Sequence, residues 1–339
     1  MLLLCLSVGT GHAQEPSSTA RSLAARLSPA AAAMEYWDIT AVLQSGHHFA
    51  ARFLITNEGP GTRTAAAIGH LLLPDGRLLP IAYGRTREAW TLSADGRRLK
   101  IASAVLDLGH PLARVEVDSD RLGIKLGLDF EPAAAPVTVN PLPGAYAIEA
   151  LAPAAAHGTL WLRGMPAPVP LDGTLALTHT WMERSEVDLV QRRAELFGRS
   201  GDVGLYLADL TLTDGRRRGT LVVWRGGDVR QRSDDPPVAF GDDLLAPADP
   251  EYPVAQHWEA CDGQACVRAR LQREWLRWDL LDSVPQPFRF LLSFKTQPQR
   301  VLADADFEIT LADSKESATL AVQGVGVGVV TFSRPLPAR

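Results

Sequence analysis

The sequence predicts an all-β protein of two domains, and three observations carry that prediction. Asp-Gly pairs recur at Asp75-Gly76, Asp95-Gly96, Asp172-Gly173, Asp214-Gly215 and Asp262-Gly263, each between apolar or alternating segments, as hairpin tips do. Polar and apolar residues alternate with period two in Arg114–Asp118, Thr174–His179 and Phe307–Leu311, the pattern of strands with one face buried. The chain has 339 residues, which at roughly 100–200 residues per domain is about two domains. Regular short strands broken by turn signals mean sandwiches or barrels.

Taken in order, Leu2 to Val8 is a short apolar run, and Gly11-His12-Ala13 supplies a small-x-small pattern. Residues 1–13 are therefore read as a signal peptide, although no Lys or Arg precedes Arg21. Cys5 is not a lipoprotein cysteine, because Leu4 stands where a small residue is needed. Residues 14–33 form an N-terminal extension, with helical periodicity from Thr19 to Ala33. From Glu35 onward the pattern is strands and turns. The segment Ala265 to Trp278 fits strand or helix, and strand is favoured. Val325 to Phe332, rich in Val and Gly, suits a closing strand with close backbone contacts. The stretch from Ser233 to Pro253 reads as a long loop over one end of the second domain.

A faint internal repeat relates Leu71–Arg77 to Leu210–Arg216, and a Pro-rich stretch, Met165 to Pro170, lies between the copies. The domains are accordingly placed at 34–168 and 169–339.

The composition narrows the partners. A formal net charge of −5 and the lack of a basic run argue against nucleic acid. No apolar stretch approaches the roughly 20 residues of a membrane helix. HExxH, G-x-S-x-G, the P-loop and the dinucleotide-binding fingerprint are absent, so no cofactor and no metal are expected. Arg216-Arg217-Arg218, past a hairpin tip, reads as a solvated turn, with peripheral contact to anionic lipid as the alternative. Cys261 and Cys266 flank the Asp262-Gly263 tip, where a disulfide can form across the strands. No second Cys or His pair completes a zinc site. A disulfide there and a leader together imply an exported, periplasmic or otherwise extracytoplasmic protein.

Two stretches bear a likeness to a known group. Gly173-Thr174-Leu175-Ala176-Leu177-Thr178-His179-Thr180-Trp181 resembles the strand that opens the second barrel in the lipocalin-like superfamily of carotenoid 1,2-hydratases, AttH-type bacterial proteins and yeast survival-factor proteins. His179 and Trp181 match its His and Trp; Thr178 stands in place of an acidic residue and Met182 in place of Gly. Phe53–Asn57 and Gly69–Gly76 are similar to its N-terminal half. The resemblance implies two tandem lipocalin-like (calycin) β-barrels.

A barrel of about eight strands has room for one small ligand. The first expectation is binding or handling of a hydrophobic small molecule such as a lipid or isoprenoid, with Trp37, Trp90, Trp181 and Trp224 in its walls; Trp161 is a further aromatic on a strand-like segment. The alternative for each Trp is ordinary core packing. A second expectation is an enzyme of the hydratase or cyclase type, in which His179 moves a proton with Glu183 or Glu195, and Glu186 lies close in sequence. A third is a structural envelope adaptor without ligand. His47-His48 reads as an exposed turn pair, and His70 and His110 show no partner in sequence.

Overall fold

The computed structural model describes residues 23–58, 63–109, 111–132, 134–245, 249, 251–283, 296–313 and 318–335. The expected signal peptide, Cys5 and His110 lie outside them. The chain is built almost wholly of strands.

The first set is β1 (Met34–Leu43), β2 (His48–Thr56), β3 (Thr64–Leu72), β4 (Leu78–Arg85), β5 (Trp90–Leu92), β6 (Arg98–Ile101), β7 (Ala104–Asp107), β8 (Ala113–Ser119), β9 (Ile124–Phe130), β10 (Val137–Leu142), β11 (Tyr146–Ala150), β12 (Ala154–Leu162) and β13 (Val169–Met182). The second is β14 (Val190–Ser200), β15 (Val203–Leu212), β16 (Arg217–Arg225), β17 (Asp228–Asp234), β18 (Val238–Phe240), β19 (His257–Cys261), β20 (Ala265–Asp279), β21 (Gln299–Asp313) and β22 (Ala318–Phe332).

Each set forms one antiparallel sheet. The first runs β4-β3-β2-β1-β13-β12-β9-β8-β7-β6-β5, with β10 and β11 branching from β13; the second runs β17-β16-β15-β14-β22-β21-β20-β19-β18. The first curls until β3 and β4 meet β6, nearly closing, and the second makes a half-barrel. This is the expected all-β pair of tandem lipocalin-like barrels.

The join differs from the expectation. β13 pairs with the whole of β1, Met34 opposite Met182 through Leu43 opposite Gly173, so it belongs to the first sheet. The sheets part after Met182, across a single 3-10 turn at Glu186–Asp188. The Pro-rich stretch is the β12–β13 connection. Four of the five Asp-Gly pairs are hairpin tips, with Gly76, Gly96, Gly215 and Gly263 at φ between 73° and 86°, where glycine carries no Cβ penalty. Asp172-Gly173 instead lies inside β13, where a Cβ on Gly173 would strike the Val42 carbonyl of β1.

The repeat is a turn rather than a domain duplication. Asp75 takes the Arg77 amide at 3.0 Å and its Nε at 2.7 Å, and Asp214 does the same with Arg216 at 3.0 and 2.7 Å. Yet one hairpin joins β3 to β4 and the other β15 to β16, one step out of register with the sheet orders.

Strand alternation sorts the core into three layers. Odd residues of β1 and β13 (Trp37, Ile39, Leu175, Leu177) fill the first barrel. Even residues of β14 to β16 with Val301 and Val330 fill the second, or odd ones where the register inverts, as at Leu205 and Leu207. Between them the outer faces of the two sheets pack together in a seam that buries Tyr36, Tyr146, Tyr206, Trp224, Trp275 and Trp278.

The expected helix of Thr19–Ala33 is not formed in the described part. Residues 23–33 make an irregular strap across the end of the first barrel. Its amides bond to carboxylates of the barrel instead of to carbonyls four residues back. The loop after β18 does the matching service for the second barrel, burying Tyr252 and Val254 in its core.

Candidate functional site

Two buried polar clusters stand back to back on β1 and β13. The first lies at the end of the first barrel, beneath the strap, and contains His179. Its imidazole is fully buried and stacks on Trp37, with ring centroids 4.6 Å apart and planes 2° from parallel. Trp181, two residues on and on the same face, stands 5.2 Å away. Nε2 lies 2.8 Å from Glu35 Oε1 of β1, and Nδ1 lies 3.1 Å from Glu149 Oε2 of β11.

Both carboxylates also hold the strap. Glu149 accepts the Leu23 amide at 2.8 Å and the Arg26 guanidinium at 2.8 Å. Glu35 accepts the amides of Arg26 and Leu27 at 2.7 and 2.9 Å. Burial pushes the His179 pKa down, but the bonds to Glu149 and Glu35 outweigh it and the net shift is upward. Burial pushes Glu149 up, and the bond from His179, its charge, the Leu23 amide and Arg26 outweigh that and hold it below the usual value. Both ring nitrogens are engaged by carboxylates, which leaves neither free to meet a substrate.

Sequence reasoning paired His179 with other acids. Glu183 is exposed at the strand's end and accepts a bond from Ser28 at 2.7 Å. Glu195 is buried, but on the seam side of β14, bound to Arg193 at 2.6 Å and Tyr206 at 2.9 Å. Glu186 likewise serves the seam. The carboxylates that do meet His179 come from strands 144 and 30 residues away in sequence. One signal for them was available: Glu149 is the single carboxylate of the short strand YAIEA, and Glu35 is one of two, with Asp38, in the largely apolar strand MEYWDITAVL.

The second cluster crosses the seam. Asp38 takes Arg52 at 2.8 Å on each oxygen and Arg300 of the second barrel at 2.7 Å. Burial favours its neutral form, but Arg300 and Arg52 dominate and hold it far below the usual carboxylate range. Arg193 reaches from β14 to the Tyr36 and Tyr146 hydroxyls at 2.8 and 3.2 Å and to Thr180 and Thr178 at 3.0 and 3.2 Å. Glu186 accepts both tyrosine hydroxyls, at 2.5 and 2.9 Å. Three arginines (Arg52, Arg193, Arg300) thus meet three carboxylates (Asp38, Glu186, Glu195), and the buried network is neutral.

At the β3/β20 edge of the same seam the polar groups are not satisfied. His48 Nδ1, His70 Nδ1, Trp275 Nε1 and Trp278 Nε1 are buried with no hydrogen-bond partner. His48 lies 4.8 Å from Trp275, and His70 lies 4.8 Å from Trp278. The expectation that His47 and His48 form an exposed pair is corrected here: both are buried, His48 because the second barrel covers the outer face of β2 and His47 within the β1–β2 turn. His47 turns to Ser45 at 2.8 Å, and His48 Nε2 reaches Asp304 at 2.9 Å. Burial pushes His70 down to about 4, against the opposing charge of Asp282, so it is neutral near pH 7.

The four tryptophans expected to share a ligand do not converge. Trp37 and Trp90 pack in the first barrel's core, Trp224 in the seam, and Trp181 at the barrel end under Arg26. Trp161 lies outside, half-buried beside Lys125 and Pro168. A cavity of about 290 Å3 opens between strap and barrel end, lined by Arg26, Glu35, Ile55, Asn57, Arg63 and Trp181 among others. Its lining is as polar as it is apolar, unlike the greasy barrel interior expected from the sequence. Cys261 and Cys266 face each other across the β19–β20 hairpin, with Sγ–Sγ 2.03 Å. Each of Arg216, Arg217 and Arg218 is matched to a carboxylate, Asp214, Asp209 and Asp235.

With this geometry in hand, the comparisons define a class of fold. No family model matches the sequence, and no curated protein matches it. Among solved structures, a Nitrosomonas europaea protein described as a candidate AttH superposes with a TM-score of 0.67 at 12% identity, covering 97% of this chain and 100% of that one. CghA with Sch210972 superposes at 0.58 with 14% identity, covering 90% of this chain and 89% of that one. CghA alone gives 0.57 and 14%, covering 92% and 94%. The chain therefore has the AttH- and CghA-like tandem lipocalin fold, end to end. At these identities the likeness is one of fold.

Proposed function

We propose that this protein binds an oxygenated apolar small molecule, of the lipid or isoprenoid kind, at the β3/β20 edge of the seam between its barrels. One observation carries the reading. His48, His70, Trp275 and Trp278 hold four ring nitrogens there without partners, whereas nearly all buried polar groups in folded proteins are bonded. An indole N–H seeks a carbonyl or hydroxyl oxygen, and a neutral imidazole takes or gives one more bond. The rings around those atoms are apolar, so the fitting ligand is greasy with one or two oxygens. His70 and Leu280 are only half-buried, so this edge of the seam reaches solvent. CghA, which has the same fold, has been crystallised with Sch210972, which supports ligand handling by this architecture.

The test compares farnesol with farnesene, the same skeleton with and without a hydroxyl, by quenching of tryptophan fluorescence. Farnesol should bind roughly fivefold tighter, the worth of about one hydrogen bond. The preference should vanish in the Trp275→Phe/Trp278→Phe variant. Equal binding of both compounds, or a preference that survives the variant, refutes the site. Organic extracts of the native protein, read by mass spectrometry, would identify the natural compound. The same reading takes Cys261–Cys266 as oxidised in the native protein and the protein as exported.

A further inference from the structure

The end of the first barrel is filled by the protein's own chain, and the filling has the chemistry of a ligand. We propose that residues 23–33 occupy a second binding site, one for an amphiphile with an apolar tail and a cationic ammonium or guanidinium head, and that the strap must move aside for such a molecule to enter.

Leu23 takes the place of the tail. Its side chain belongs to the core cluster of the first barrel, and its carbonyl receives the Trp37 indole at 2.9 Å. Arg26 takes the place of the head. Its guanidinium lies 2.8 Å from Glu149 and 3.8 Å above the centre of the Trp181 ring, a carboxylate and an aromatic face on one cation. Choline-type and alkylammonium groups are recognised by that combination. The geometry agrees: two carboxylates, Glu35 and Glu149, share one imidazole, and the Arg26 guanidinium supplies the cation on Glu149. A neutral or anionic head in its place leaves one carboxylate unmatched at a buried site, which is costly.

The strap is also the segment of this barrel suited to leaving. Leu23 and Leu27 sit at φ 64° and 49°, a left-handed backbone that leucine seldom adopts. Three of its main-chain amides are given to Glu35 and Glu149, bonds that the N–H donors of an incoming ammonium can replace; the rest of its grip is the Ala25 amide on the Gly96 carbonyl, the Asn57 side-chain amide on the Ser28 and Ala30 carbonyls, and the Trp37 indole on Leu23. The cavity of about 290 Å3 beside it already exposes Arg26, Glu35 and Trp181, so a cation can engage the rim before the strap is displaced.

The experiment uses the full chain and three detergents below their micelle concentrations: dodecylammonium, whose head carries three N–H donors, dodecyl maltoside and dodecyl sulfate. Binding is read by tryptophan fluorescence, and the strap by amide hydrogen exchange at Leu23, Arg26 and Leu27. The cationic detergent should bind and raise exchange at those amides about tenfold, the worth of one charge-assisted bond, while the other two leave them protected. Arg26→Ala, which removes the competing head, should bind the cation about tenfold tighter, and Glu149→Gln should lose it. Equal binding of all three detergents overturns the proposal. So does binding that leaves the strap amides protected, or no binding by wild type and Arg26→Ala alike. The exchange measurement on the wild type decides the matter even where a variant fails to fold.

Discussion

Strands β1 and β13 run between two buried polar clusters, one on each face, and the two are assembled differently. On the barrel side, Glu35, Glu149 and His179 spend most of their bonds on the main chain of a strap and on one half-exposed arginine. On the seam side, Asp38, Arg52, Arg300, Arg193, Glu186 and Glu195 bind one another and three tyrosines, across two sheets that share no strand pairing among the described residues. A cluster whose partners are main-chain amides can exchange them for other donors. One whose charges cancel among fixed side chains cannot open without stranding an ion. The first is suited to holding something removable, and the second to fastening two barrels together.

The seam should therefore be the more sensitive to single changes. Asp38→Leu strands Arg52 and Arg300 in a buried site and should cost about 3–5 kcal/mol in a denaturant titration. Replacing Asp38, Arg52, Arg300 and Glu186 together with Leu, Met, Met and Gln should cost less than the single change, since the two positive and two negative charges removed cancel. A single change below about 1 kcal/mol would mean that the network does not fasten the barrels.

At the barrel end, Glu149→Gln keeps the shape but weakens bonds to Leu23, Arg26 and His179, and should cost about 1.5–3 kcal/mol. Protection of the strap should also follow pH. His179 is raised, so its contribution is full below its unfolded value near 6.5 and fades as pH climbs through its folded value. Glu149 is lowered, so its contribution is full above its unfolded value near 4.5 and fades as pH falls through its folded value. Glu35 and Arg26 are the other charges in contact with the pair. Exchange at Leu23 and Leu27 should be slowest between those two values; a minimum above pH 8 would contradict the clamp.

The hairpin cysteines should have a smaller effect. Under non-reducing, denaturing conditions thiol titration should find Cys261 and Cys266 blocked. Closing so short a loop contributes about 2 kcal/mol in the chain-entropy account, so Cys261→Ser/Cys266→Ser should fold with a modestly lower Tm. Two free thiols in the native protein would sink the proposal that it is exported.

How far these regions could be read in the sequence depends on the range of their contacts. Period-two strands and Asp-Gly tips are local, so the all-β class, the β20 strand and four of five tips were legible. Asp172-Gly173 misled because the same dipeptide also fits where a neighbouring strand presses too close for a Cβ. The helical spacing of Thr19–Ala33 misled because leucines at that period served another end, plugging a barrel while their amides found carboxylates. The join was misplaced because strand pairing, not proline content, decides which sheet β13 enters. His179 stood out by itself, but its partners lie on β1 and β11, and nothing local in Glu183 marks it as pointing to solvent. The seam was invisible because outward-facing residues look like surface until a second sheet covers them, as His48 illustrates.

The smallest expected effect tests the seam against itself, centre against edge. Among the described residues each central charge meets an opposite charge, although Arg193 Nε and Arg300 Nε carry no bond of their own, whereas the His70 imidazole at the edge has a nitrogen with no partner and no ion pair beside it to compensate. Burial holds its folded pKa at about 4, below its unfolded value near 6.5, so the unfolded chain binds the extra proton as pH falls between them. Stability should decline across that window by an amount that His70 supplies. His70→Phe keeps an aromatic ring against Trp278, removes the unpartnered nitrogen and strands no charge. Its stability at pH 7 should lie within about 1 kcal/mol of wild type, and its decline from pH 7 to pH 5 should be the shallower of the two in parallel denaturant titrations. An unchanged decline would show that the proton is taken up elsewhere. A large loss at pH 7 would show that His70 is held by bonds the edge does have, and the contrast with the ion-paired centre would collapse.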